Sequence, residues 1–180
     1  FADGNISNSD VKHQPTIALD LAIKDRDHVC RFANFLGLPE SAVRTNNREY
    51  PSASVGIRSA KLAASLARYG VVLRKSLVET GARPIGMTAN RHFMRGLVDG
   101  DGCIRIQEMS GRSGNGRRVE HAELMLSIGL GAAEEYATFC RSVCPAQANL
   151  RETSPGLWEY RLNCTFARMV VKELYEGATV

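Results

Sequence analysis

The acidic residues best suited to chemistry lie in Asp-Gly pairs that occur in two related stretches. Asp3-Gly4-Asn5-Ile6 recurs as Asp101-Gly102-Cys103-Ile104, 98 residues later. The residues before the second pair follow a helical pattern, so Asp99 and Asp101 fall at a helix C-terminus, where the macrodipole disfavours negative charge. Carboxylates in such a position are suited to binding a cation.

A pseudo-twofold packing of the two stretches brings Asp3 and Asp101 together. Two carboxylates at helix ends form a hard-oxygen site that suits Mg²⁺ or another divalent cation. Such a site can activate water and stabilise the leaving oxygen in phosphodiester hydrolysis. The alternative is that each Asp-Gly pair is a turn entering a strand, but its recurrence in register with a repeat favours the metal site. An EF-hand loop is excluded, because Ile104 stands where that loop requires glycine and Ser110 where it requires glutamate.

The helix that must position these acids runs up to Asp101. Thr88 is its predicted N-cap, and Gly102 is predicted to end it in a left-handed conformation. Gly96 and Gly100 lie four residues apart on one face, and each costs about 1 kcal/mol relative to alanine within a helix. Close approach of a second helix backbone offsets that cost, so these glycines predict a helix interface.

The rest of the chain repeats in the same order. Leu19, Leu21 and Ile23 match Leu124, Leu126 and Ile128 at a spacing of 105 residues. Apolar periodicity predicts helices over residues 25–37, 59–70, 132–143 and 165–177, with Gly37 as a helix stop. Alternating patterns predict further strands over residues 42–46, 53–58, 147–152 and 157–163. Each repeat therefore reads helix, two strands, helix, two strands, helix.

This order predicts an α+β fold with two repeats. The first spans residues 1–77, the second 88–180, and residues 78–87, which contain two glycines and a proline, form the linker. A longer, basic, glycine-rich loop over residues 110–118 distinguishes the second repeat.

Composition is that of an ordinary globular chain of 180 residues with 44% hydrophobic residues. No apolar run is long enough to span a membrane and no leader is evident, which predicts an intracellular, cytoplasmic protein without a membrane partner. The five scattered cysteines predict reduced thiols. The net charge of +4 includes 18 Arg against 5 Lys, and arginine suits bidentate contacts with phosphate or guanine. Codon usage explains the arginine total equally well. The positions of the arginines, and not their number, therefore have to show whether they bind nucleic acid.

At the acidic stretch the sequence resembles the LAGLIDADG family of homing endonucleases. Residues 94–102, MRGLVDGDG, match the nine-residue motif throughout, and residues 1–4, FADG, match the end of a first copy. Residues 69–76, YGVVLRKS, resemble the stretch that follows the second hairpin in intein-type and intron-encoded members. The resemblance covers both repeats. It implies two pseudo-symmetric αββαββα halves whose four-stranded antiparallel sheets form a saddle on DNA.

The resemblance also implies the activity and its residues. It implies a monomer with internal pseudo-twofold symmetry that cleaves double-stranded DNA at a long site with a divalent metal. The family's metal-binding aspartates correspond to Asp3 and Asp101, and the carbonyls that complete the shell correspond to Ala2 and Gly100. The basic residue near the scissile phosphate corresponds to Lys75.

Strand alternation predicts which side chains face the DNA. The outward positions carry the residue types that bind base edges in the major groove; a solvated sheet face is the alternative. They are Asn5, Ser7, Arg44, Asn46, Arg48, Ser54 and Arg58 in the first repeat, and Arg105, Gln107, Arg161 and Asn163 in the second. Arg112, Arg117 and Arg118 are predicted to bind phosphates from the long loop.

Two alternatives to an endonuclease remain open. One is a DNA-binding regulator or RNA-splicing maturase on the same scaffold with cleavage lost. The other is an α+β domain duplicated for stability alone. Because the resemblance leaves the first motif helix and the second basic partner without a counterpart in the sequence, we expect a piece truncated at both ends. We expect its folding to be impaired, because Gly96 and Gly100 would face an absent helix.

Overall fold

The structure, a computed structural model, describes residues 4–7, 14–71, 86–110, 118–145 and 148–178. The chain divides into two compact units, one ending at Lys75 and the other beginning at Ser76. Most of the predicted linker, 78–87, lies outside the described residues, so the predicted domain boundaries stay a prediction.

The first unit has a four-stranded antiparallel sheet and two helices among its described residues. The strand order is β1-β2-β4-β3. The elements are β1 (Gly4–Ser7), β2 (Thr16–Ala22), α1 (Arg26–Phe35), β3 (Arg44–Asn46), β4 (Ser52–Arg58) and α2 (Ala60–Ala67). Residues 1–3, which the sequence analysis matched with Gly4 to the end of a first motif, lie outside the described residues.

The second unit has the complete predicted order αββαββα. Its sheet is antiparallel with the order β5-β6-β8-β7, which repeats the order of the first sheet. The elements are α3 (Arg91–Asp101), β5 (Gly102–Ser110), β6 (Arg118–Ile128), α4 (Leu130–Val143), β7 (Leu150–Ser154), β8 (Leu157–Asn163) and α5 (Cys164–Tyr175). The predicted α+β class and paired four-stranded sheets are therefore confirmed. Among the described residues, no helix is both long and apolar enough to cross a membrane.

The core of the first unit lies between α1 and one face of the sheet. Val29 and Ala33 of α1 are buried against Ala53 and Val55 of β4. Gly37 ends α1 with φ +72°, and the Leu38 amide donates to the Ala33 carbonyl at 2.9 Å. This is a Schellman ending, in which glycine avoids the strain that a Cβ causes at positive φ. The helix stop predicted at Gly37 is confirmed.

The core of the second unit lies under the equivalent face of the second sheet. Leu124, Leu126 and Tyr160 are at most 1% exposed. The rings of Tyr136 on α4 and Tyr160 on β8 meet edge to face, with centroids 5.9 Å apart. Edge-to-face aromatic pairs add about 0.5–1.5 kcal/mol beyond the burial of their area. α4 is thereby fixed across the centre of the sheet.

Edge strand β5 departs from the predicted burial. Ile104 and Ile106 lie opposite buried Leu124 and Ala122 and so share the core face of the sheet, as the alternation predicts. Their side chains are nevertheless 45% and 68% exposed. The alternation predicted the correct face of the strand. The two side chains stay exposed because β5, as an edge strand, has a neighbouring strand on one side only.

Helix α3 begins two residues later than the sequence predicted. Its N-cap is Asn90, whose side-chain oxygen accepts from the Phe93 amide at 3.1 Å. The predicted cap, Thr88, is wrong, because its hydroxyl instead donates to Glu135 of α4. Both residue types cap helices well, and the turn over residues 88–89 decides between them by placing Asn90 at the helix start.

Replacing Asn90 with alanine is expected to destabilise the second unit by about 1 kcal/mol, because the Phe93 amide then loses its acceptor. For a chain of this size, that loss lowers Tm by about 2–4 °C. Circular dichroism melting will measure it, with Thr88→Ala as the comparison. Equal stability of Asn90→Ala and the wild type would show that the cap is dispensable.

Candidate nucleic-acid interface

Asp101 is the last residue of α3, and β5 starts at the next residue. The last turn of the helix contains no basic side chain, so the negative end of the macrodipole lies beside an exposed carboxylate. Gly102 follows as the C-cap, with its amide bonded to the Val98 carbonyl. The sequence therefore places this acid at a fixed junction between helix and sheet.

The ending of α3 differs from the predicted left-handed cap. Gly102 has φ −99° and ψ 171°, an extended conformation open to any residue, so that part of the prediction is wrong. Glycine is required there by space: a Cβ would lie 2.5 Å from the Val98 carbonyl oxygen. The chain folds back so tightly from helix to strand that a side chain has no room.

The neighbouring acid, Asp99, has a structural partner. Its carboxylate accepts a hydrogen bond from the Tyr175 hydroxyl at the end of α5. Burial, and then this hydrogen bond, raise the pKa of Tyr175 above its ordinary value. Asp99 therefore ties α3 to α5, which the sequence did not reveal, and of the two acids only Asp101 was predicted to bind metal.

The donor chemistry at the end of α3 fits a hard divalent cation. Asp101 provides a carboxylate and Gly100 a backbone carbonyl, both oxygen donors of the kind that Mg²⁺ prefers. Among the described residues, no group of three His, Cys, Asp or Glu side chains converges on one point. Asp3, Ala2 and Lys75 lie outside those residues, so their assigned roles and the pairing of Asp3 with Asp101 stay predictions.

The predicted helix interface has one open position. Apart from its chain neighbours and the backbone of its own helix, no heavy atom in the described part of the chain comes within 4 Å of a Cβ placed on Gly96. Gly96 is exposed and Gly100 is half-buried. The interface itself stays a prediction.

The first sheet carries its predicted polar residues on one face. Cross-strand pairing groups Ser7 with Thr16 and Arg58, and Arg44 with Ser54 and Asp20. Asn5 lies two residues from Ser7 on β1, and Asn46 lies two residues from Arg44 on β3. Both asparagines are therefore on the same side of the sheet as these residues, opposite the face packed on α1. Arg48 follows β3, and its amide donates to the Asn46 side chain at 3.2 Å.

Several further residues on that face were missed by the sequence reasoning. The two central strands contribute small or short side chains between the arginines, and pairing places them in the same rows. They are Thr16, Ala18, Asp20, Ser52 and Gly56. A surface lined by such short side chains allows close approach of a ligand backbone.

The second sheet also gathers its predicted polar residues on the face away from its core. Arg105 pairs across Glu123 with Asn163, and Gln107 pairs with His121. Arg161 lies opposite Met125 on the same face. Arg118 belongs to β6, where it pairs with Ser110, and not to the loop in which it was predicted. Arg112 and Arg117 fall outside the described residues.

The centre of this face is an ordered ion-pair network that the sequence reasoning missed. Glu123 of β6 receives Arg105 Nη2 at 2.7 Å and Arg161 Nη1 at 3.0 Å. Arg161 also binds Glu159 at 3.1 Å, and the hydrogen bond from Glu159 raises the pKa of the Arg161 guanidinium. The alternation that identified Arg105 and Arg161 places Glu123 on the same face of β6.

A histidine and a cysteine meet at the edge of the same surface. His121 Nδ1 lies 3.3 Å from the Cys164 sulfur, and Cys164 begins α5 with φ +51°. The sequence had assigned His121 no role, and the pairing depends on contact between β6 and the start of α5. All five cysteines are free thiols.

Comparison with solved structures places this fold in a class: it is the fold of the LAGLIDADG homing endonucleases, which confirms the resemblance at the level of the fold. Meganuclease I-AabMI bound to uncleaved DNA matches with a TM-score of 0.65 and 10% identity, over 99% of this chain and 81% of that one. I-LtrWI bound to target DNA matches with a TM-score of 0.66 and 7% identity, over 97% and 79%. I-SmaMI bound to cleaved DNA matches with a TM-score of 0.64 and 8% identity, over 99% and 79%. No family model and no curated protein sequence matches the chain.

Proposed function

We propose that the chain is a LAGLIDADG homing endonuclease that cleaves double-stranded DNA at a specific site with a divalent metal ion. The observation that carries this proposal is the junction at Asp101. The carboxylate at the end of α3 is joined without a break to β5, the strand that presents Arg105 and Gln107. A carboxylate that would hold the metal ion and a surface that would contact bases are thus parts of one continuous element.

The fold supports the proposal, since structures with the same fold include endonucleases bound to uncleaved and cleaved DNA. Arg105 lies four residues beyond Asp101, which spans about 13 Å along an extended strand. That distance corresponds to about four base pairs of duplex DNA. Base contacts and cleavage can therefore involve neighbouring parts of one site.

In this proposal Asp101 and Asp3 supply the carboxylates, and the Gly100 and Ala2 carbonyls complete the oxygen donors. When bound there, the cation supplies Lewis-acid stabilisation of the phosphodiester and a more acidic water. Lys75 contributes positive charge beside the scissile phosphate. The two sheet faces bind the major groove, and the arginines at 112, 117 and 118 bind phosphates.

A test needs no knowledge of the target. The protein is incubated with a library of plasmids bearing random inserts, with Mg²⁺ or with EDTA, and cut ends are sequenced. We expect double-strand breaks at one related set of sites with Mg²⁺ and none with EDTA. Sequence-selective binding without breaks would favour the regulator or maturase, and absence of DNA affinity at low salt would favour a duplicated structural domain.

A further inference from the structure

Glu123 is unusual because it is a buried charge on the face of a sheet that otherwise meets solvent. Among the residues that the structure describes, it is the only charged side chain that is buried, at 8% exposure. Its carboxylate lies at the centre of the second sheet, on strand β6, between β5 and β8. A buried carboxylate is costly unless cations and hydrogen bonds compensate for the lost water.

Two arginines from the flanking strands provide that compensation. Arg105 of β5 and Arg161 of β8 contact the two different oxygens of the Glu123 carboxylate. Glu159, itself only 15% exposed in its side chain, holds Arg161 from the other side. Met125, opposite Arg161, adds a sulfur contact to the same guanidinium at 3.3 Å. Both guanidiniums are therefore restrained in position and orientation.

The two arginines still present ligand-accessible surface. Their side chains are 52% and 46% exposed, and each guanidinium has five N–H donors in a planar fork. Because both groups contact one carboxylate, they are close enough to meet bases about one or two steps apart, at about 3.4 Å a step. The geometry is that of a fixed pair of donors.

The net charge of the four side chains in the network indicates whether they are better suited to bind bases or phosphates. Two arginines and two glutamates leave these four side chains without net charge, whereas phosphate binding depends on uncompensated positive charge. A guanine edge offers O6 and N7 as two adjacent neutral acceptors, which an oriented arginine binds bidentately. Restrained, neutralised arginines are thus better suited to guanine than to phosphate.

We propose that Glu123 determines DNA specificity: by holding Arg105 and Arg161 as an oriented pair, it directs them to two guanines in the major groove. Glu123 is a positioning residue, since it acts through the arginines. This inference rests on the proposed function, because it requires duplex DNA on this face. From the spacing of Arg105 and Asp101, the guanine read by Arg105 lies about four base pairs from the cut phosphate.

The test compares Glu123→Gln with Glu120→Gln. Both changes remove one negative charge from β6, but Glu120 lies on the other face, where it pairs with Arg168 of α5 at 2.9 Å. Each protein selects duplexes from a pool with a randomised segment, in EDTA to prevent cleavage, and its affinity for unselected duplex is measured separately.

We expect the wild type and Glu120→Gln to enrich the same motif, with guanine at two positions. Glu123→Gln is expected to lose about ten-fold or more in preference at both guanines, while its affinity for unselected duplex rises because two arginines become available to phosphates. Opposite changes in specific and unselected binding distinguish orientation from a structural role, which would lower both.

Glu159→Gln keeps the proposal testable if Glu123→Gln does not fold. Because Glu159 contacts Arg161 directly, this variant should weaken selection at the guanine read by Arg161 more than at the guanine read by Arg105. A motif whose guanines survive both substitutions would overturn the role of Glu123. A wild type that enriches no motif would instead overturn the proposed function itself.

Discussion

Replacing Asp101 with asparagine is expected to slow DNA cleavage by at least about 1,000-fold and to leave DNA binding within about ten-fold of the wild type. Asparagine keeps the shape of the side chain but removes an anionic oxygen donor. Metal ions contribute several kcal/mol of charge stabilisation in such reactions, and about 4 kcal/mol corresponds to 1,000-fold in rate. Single-turnover cleavage of a selected duplex at saturating enzyme will measure the rate without the affinity.

The matched control is Asp99→Asn, which makes the same chemical change two residues earlier on the same helix. Asp99 accepts from the Tyr175 hydroxyl, so its replacement should lower stability by about 1 kcal/mol. Its cleavage rate should stay near that of the wild type. If both variants lost the same amount of rate, cleavage would depend on the total negative charge at the end of α3 and not on Asp101 as a metal ligand.

The fold was predictable because its signals are local and occur twice. The period of the apolar residues gave the helices and strands, and the recurrence of Asp-Gly gave the repeat. Strand β8, predicted over 157–163, is observed as Leu157–Asn163. Strand β7, predicted over 147–152, is observed as Leu150–Ser154. Four of its five residues are exposed, so there is little alternation of buried and exposed positions to fix its ends.

The faces of the sheets were predictable, but the pairs across them were not. Alternation put Arg105 and Arg161 on one face without any knowledge of register. The partnership of both with Glu123 depends on the exact register of three strands. A long hairpin connection, unlike a two-residue turn, does not set that register, so the ion-pair network could not be derived from sequence.

Contacts between distant segments were equally hidden. Asp99 and Tyr175 are 76 residues apart, and nothing in the local pattern around either predicts that α3 packs on α5. Without that contact, Asp99 and Asp101 look alike in the sequence, as two acids at an unfavourable helix end. The structure shows that Asp99 accepts a hydrogen bond from Tyr175 and so helps to hold α3 against α5.

Gly102 shows how a correct prediction of type can rest on the wrong physical reason. Glycine at position 102 was expected because a left-handed helix ending needs a positive φ, whereas the observed φ is −99°. The actual constraint is the Val98 backbone, whose carbonyl oxygen and Cα would lie 2.5 and 2.7 Å from a Cβ. This distinction matters, because a steric constraint applies to every other residue, including those that tolerate positive φ.

Replacing Gly102 with alanine is therefore expected to destabilise the protein by about 3 kcal/mol, the upper part of the usual range for overpacking. The obstructing atoms belong to the backbone, so no side-chain rotation relieves the contact, and the end of α3 must move. For a chain of this size the loss lowers Tm by about 6–12 °C. Because Asp101 is the preceding residue, cleavage should also fall at temperatures where the variant remains folded.

Gly4 provides the comparison, since it is the equivalent glycine of the first repeat. Among the described residues, the one heavy atom within 4 Å of a Cβ there is the Ala18 carbonyl oxygen, at 3.6 Å, an ordinary contact. Alanine is favoured over glycine in a strand by about 0.5–1 kcal/mol. Gly4→Ala should therefore melt at or slightly above the wild-type temperature. If Gly102→Ala and Gly4→Ala have the same Tm, the tight junction between α3 and β5 does not constrain the fold. In that case the junction does not hold Asp101 in place.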